Sequence, residues 1–84
     1  MDIINRDGCE PFVTKDTSEI REIMAYRNSN CKRSSLAEAT LQPGRATQAH
    51  FHRETEEVYY FLQGSGRIRI DGEEGEIRPG DAVL

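Results

Sequence analysis

The rhythm of polar and apolar positions changes near residue 34. Before it, the stretch 1–12 is polar and interrupted by Gly8 and Pro11, which predicts an arm or short strand entering a turn. From Asp16 the run DTSEIREIMAY offers Asp16, Thr17 and Ser18 as capping residues and Glu19 for a first turn. Ile20, Ile23 and Met24 follow at the i, i+3, i+4 spacing of one helical face. The expectation is a short amphipathic helix of about two to three turns. The cluster Arg27, Asn28, Ser29, Asn30, whose side chains compete for backbone hydrogen bonds, would stop it.

After Ser34 the segments 35–41, 47–52, 57–63, 67–71, 76–78 and 82–84 carry β-branched, aromatic or alternating content. Turn residues separate them: Pro43-Gly44, the polar 53–56, Gly64-Ser65-Gly66, Asp71-Gly72 through Gly75, and Pro79-Gly80-Asp81. Short strands at this spacing predict an all-β fold, an antiparallel sandwich or barrel, with 1–33 as an arm and helix packed on a barrel made by 34–84. Asp71-Gly72 predicts a type I′ hairpin turn, whose two central residues need positive φ. Along 57–62, Glu57, Tyr59 and Phe61 share one face, and Val58, Tyr60 and Leu62 share the other. A strand apolar on both sides needs cover on both, from the N-terminal helix or a second subunit. Arg67 and Arg69 alternate with Ile68 and Ile70 and read as a solvated face, with Glu73, Glu74 and Glu76 as a solvated hairpin tip.

With 84 residues the chain is one small domain, which excludes a two-domain enzyme. Eleven basic residues against fifteen acidic ones give a net charge of −4, and mean hydropathy is −0.71. No basic cluster suits a phosphate backbone, so nucleic acid is not an expected partner. The longest apolar run, 58–62, is too short for a membrane-spanning helix or a secretory core, so no membrane partner is expected and the default compartment is the cytoplasm. Cys9 and Cys31 belong to no CxxC pair and read as free thiols.

The chemistry concentrates in one place. The chain has two histidines, His50 and His52, and on a strand residues two apart project from one face. If the next strand pairs back through 53–56, a carboxylate from that turn can join them. Two imidazoles and one carboxylate hold a divalent transition metal on one side and leave other positions open. Glu54, Glu56 and Glu57 all crowd the turn, and geometry alone leaves the choice open. Gln48, two residues before His50, would sit beside the metal, with Tyr59 and Phe61 lining the interior. Gly64-Ser65-Gly66 lies between two predicted strands, without the helix N-terminus that makes glycine loops bind phosphate.

Gly44, His50, His52, Glu57 and Gly64 stand at intervals of five, one, four and six residues. This stretch resembles the first signature of the cupin superfamily, and the closing glycine selects Glu57 among the three acids. The resemblance implies a small antiparallel jelly-roll barrel in which His50, His52 and Glu57 bind one divalent transition metal ion (Zn, Mn, Fe or Ni). Cupins add a fourth ligand, a histidine from a second signature, and Gly80 with 81–84 resembles the opening of that signature. The chain stops before its proline, and 34–84 has room for roughly six strands where a jelly roll has eight. The barrel is therefore expected to be incomplete at the C-terminus, truncated or completed by a partner subunit. The resemblance further implies a homodimer and a small-molecule ligand. The activity it suggests is isomerase-like or dioxygenase-like, on a carbohydrate-like or other oxygen-bearing substrate. The alternative is a non-catalytic binding or sensing domain.

Overall fold

Alternation prevails over helical periodicity in the first half of the chain. A computed structural model describes residues 1–15, 18–47 and 56–84. Its regular structure is a 3-10 turn at Arg6–Gly8 and seven strands: β1 (Phe12–Val13), β2 (Glu19–Met24), β3 (Leu36–Thr40), β4 (Tyr59–Tyr60), β5 (Gly66–Ile70), β6 (Glu73–Ile77) and β7 (Ala82–Val83). All pairings among the described residues are antiparallel. The chain divides into two units, Met1–Ala49 and His50–Leu84.

The first unit holds one sheet in the order β1-β2-β3. The helix expected from Asp16 is not formed, because Glu19–Met24 is the central strand β2. A helix this short would bear the full cost of nucleation for few internal hydrogen bonds, whereas β2 has a partner strand on each side. Its register is Ile20 opposite both Phe12 and Ala39, Arg21 opposite Glu38, Glu22 opposite Ala37 and Met24 opposite Leu36. The register shifts between Glu22 and Met24, so Ile23 is an extra residue without a partner on β3. Ser18, immediately before β2, is buried, and its carbonyl accepts the Thr14 N–H at 3.0 Å. At the other end Asn28 accepts the Ala25 N–H at 2.8 Å through Oδ1 and donates Nδ2 to the Ile23 carbonyl at 3.0 Å. The polar cluster at 27–30 therefore makes a turn, as its composition predicts, but the element it ends is a strand.

The second unit holds two ribbons, β4-β7 and β5-β6. Asp71 has φ 51° and Gly72 φ 80°, the left-handed pair that a type I′ turn requires. This two-residue turn sets Ile70 directly opposite Glu73, so Glu73 and Glu74, expected at a loose tip, belong to β6. Arg67 faces Glu76 and Arg69 faces Glu74, so the arginine face expected from the alternation is part of a charged ladder whose acidic side was expected at the hairpin tip. Next to β7, Gly80 at φ 93° follows Pro79, the Asp81 N–H donates to the Arg78 carbonyl at 3.1 Å, and Asp81 Oδ2 accepts the Arg78 N–H at 2.9 Å. Among the described residues Ala25 is the one buried apolar side chain. Cys9 and Cys31 are free thiols, as expected. No helix among the described residues is long and apolar enough to cross a membrane.

Candidate metal centre

The candidate site is built around β4 and the segment leading into it. Of the residues that the sequence nominates, Gln48, His50 and His52 lie outside the described residues, as does Glu54. Glu57 is described, exposed, and placed two residues ahead of Tyr59, at the entrance to β4. Among the described residues no three His, Cys, Asp or Glu side chains converge closely enough to hold an ion.

The aromatic pair is placed as the alternation predicts. Tyr59 and Phe61 are half-buried and stack with ring centroids 6.3 Å apart at 29°. Offset stacking of this kind adds to the burial itself. Backbone bonds hold Phe61 on both sides: its N–H donates to the Asp81 carbonyl at 3.0 Å, and its carbonyl accepts the Gly80 N–H at 2.8 Å. The Pro79-Gly80-Asp81 turn thus sits directly against Phe61. Tyr59 is opposite Val83 and Tyr60 opposite Ala82, so Tyr59 shares its face with the half-buried Val83. The other face is wet, with Val58 63%, Tyr60 64% and Leu62 64% exposed.

An open cavity of about 330 Å³ borders the half-buried face, lined by Ile68, Ile70, Val83 and Leu84 with Asp71, Glu73, Glu74 and Gly75. Sequence reasoning missed Ile68, Ile70 and Val83 as cavity walls. The alternation of Ile68 and Ile70 with arginines was the available signal, since it gives the β5–β6 hairpin one apolar face. A second cavity of about 450 Å³ lies on the hairpin at Ser65, Gly66, Arg67, Glu76 and Ile77, and includes none of the nominated residues.

Antiparallel ribbons with a two-faced aromatic strand and an open cavity of mixed apolar and acidic lining beside it are consistent with a small, incomplete β-barrel. Residues 37–84, more than half of the chain, match the family model of the cupin domain, and the chain belongs to that family. It is also 39% identical over 77 residues to a protein of Methanocaldococcus jannaschii that is described only as uncharacterized. That alignment covers 92% of this chain and 62% of the relative, so the chain spans less than two thirds of the relative's length. No solved structure matches the chain.

Proposed function

We propose that this chain is a metal-binding cupin in which His50, His52 and Glu57 coordinate one divalent transition ion, Zn, Mn, Fe or Ni. Gln48, Tyr59 and Phe61 line the ligand side, with the cavity walls Ile68, Ile70 and Val83 beyond them. The observation that carries this reading is the spacing from Gly44 to Gly64, which lies inside the segment matched to the cupin domain. Two imidazoles and one carboxylate suit such an ion and leave coordination positions for a small molecule. The bound ion would supply Lewis acidity, or redox chemistry if it is iron. The reading extends to a small oxygen-bearing or carbohydrate-like substrate, turned over in an isomerase-like or dioxygenase-like reaction. The exposed stripe Val58, Tyr60, Leu62 supports a homodimer, and the expected compartment is the cytoplasm.

Elemental analysis of protein purified without added metal tests the reading. The expected result is near-stoichiometric metal in the native chain and its loss in a His50→Ala, His52→Ala double variant, with at least tenfold weaker binding in Glu57→Gln. Metal-free native protein whose melting ignores a chelator overturns it. If metal is bound but no isomerase or oxygenase substrate turns over, the non-catalytic binding or sensing domain replaces the enzyme.

A further inference from the structure

The first ten residues have little apolar anchorage. Met1 and Ile3 are exposed, and only Ile4 and Cys9 of the segment are half-buried. The segment is closed on itself by polar contacts. Asn5 Oδ1 accepts the Asp7 N–H at 2.9 Å, the Asn5 carbonyl accepts the Gly8 N–H at 3.1 Å, and the Arg6 carbonyl accepts the Cys9 N–H at 3.1 Å.

Four further hydrogen bonds among the described residues reach outside it. The Arg6 guanidinium donates to the Glu38 carboxylate on β3. Arg21 on β2 donates Nη1 to the Cys9 carbonyl at 2.7 Å and to the Arg6 carbonyl at 3.3 Å. Asp2 Oδ2 accepts the Asn30 N–H at 2.8 Å. Arg21 and Glu38 are direct cross-strand partners, so both ends of the attachment at Arg6 stand on one row of the sheet. Arg21 Nε is buried without a hydrogen-bond partner among the described residues. A donor in that position carries an unrelieved desolvation cost, which lifting the segment would relieve.

We propose that residues 1–10 form a strap, latched to the charged face of the first sheet by the Arg6–Glu38 and Arg21–carbonyl contacts, that lifts as a unit without opening the β2–β3 pairing. The latch is electrostatic. Arg6 and Glu38 keep 44% and 25% of their side-chain surface in water, so dissolved salt weakens it, whereas the backbone hydrogen bonds between β2 and β3 join uncharged groups and respond far less. Lifting exposes the Arg21 and Glu38 side chains and the Cys9 thiol together.

Hydrogen exchange of the full chain, read peptide by peptide, tests this. The amide of Asn30, whose bond to Asp2 Oδ2 breaks when the strap lifts, reports the strap, and those of Glu19–Met24 report the sheet. In Glu38→Gln, which keeps the side chain's shape, and in Arg21→Met, exchange at Asn30 is expected to rise about tenfold with Glu19–Met24 unchanged. Native protein moved from low salt to about 1 M salt shifts in the same direction. Glu38→Gln decides alone if Arg21→Met does not fold. Unchanged exchange at Asn30 in Glu38→Gln sinks the proposal, and so does equal acceleration at Asn30 and in the sheet, which makes them one cooperative unit.

Discussion

Strands β2 and β4 solve the same problem with different support. β2 lies between two partners, and all six of its residues are half-buried. β4 has one partner among the described residues, β7, and the stretch 58–62 around it divides sharply into a half-buried face, Tyr59 and Phe61, and an exposed one, Val58, Tyr60 and Leu62. Glu19 is sheltered between Val13 and Thr40, and Arg21 between Glu38 on β3 and the Arg6 and Cys9 carbonyls. A strand with one neighbour can shelter only the side chains on its packed face. Glu57, the described member of the candidate ligand set, leads into the second kind of strand, where the face that a residue occupies decides its exposure.

The largest effect separates the two faces of β4. Phe61→Ala removes a stacked ring and is expected to cost about 2 kcal/mol, below the full range for a buried phenylalanine because the ring is half-buried. Tyr60→Ala, one residue away, is expected to stay within about 0.5 kcal/mol for the monomer. Chemical denaturation at two protein concentrations measures both. A concentration-dependent loss in Tyr60→Ala would mark the exposed stripe as a subunit contact. Equal losses at the two positions would break the contrast.

The same contrast explains what the sequence made legible. In the second unit, turn chemistry and alternation agreed, so Asp71-Gly72, the Arg67 and Arg69 face and the Tyr59–Phe61 pair were all readable before any coordinates. In the first unit they conflicted. The bulge at Ile23 breaks the period of two, and the displaced Ile23 and Met24 then combine with Ile20 into a false helical stripe. Ser18, nominated as a helix cap, bonds backward to Thr14, which directly follows β1. No local signal distinguishes these outcomes, because the decision is made by β1 and β3 on either side. The choice of Glu57 over Glu54 and Glu56 was equally beyond local reading and came from the family's spacing.

A middle-sized effect compares the turns that end the two elements. Asn28 satisfies both an N–H and a carbonyl at the end of β2, and Asn28→Ala is expected to cost about 1–2 kcal/mol. Asp81 accepts one N–H beside β7, and Asp81→Ala is expected to cost about 1 kcal/mol. Thermal unfolding ranks the pair. An order reversed, with Asp81 dominant, would show that the one-partner ribbon depends more on its turn than the central strand does.

The smallest effect concerns two surface ion pairs. Arg27 meets Glu22 at 3.1 Å and also lies 5.1 Å from the centre of the Tyr26 ring, whereas Arg67 meets Glu74 at 3.8 Å with both side chains at least half exposed. Exposed pairs contribute little, and salt screens what they do contribute. Arg27→Ala is therefore expected to lower the melting temperature slightly more than Arg67→Ala at low salt. In about 1 M salt the Arg67 difference should vanish while part of the Arg27 difference survives, because contact with the ring also buries apolar surface that salt does not screen. If both differences vanish together, the ring contact adds nothing, and the edge of β2 is held no better than the open hairpin.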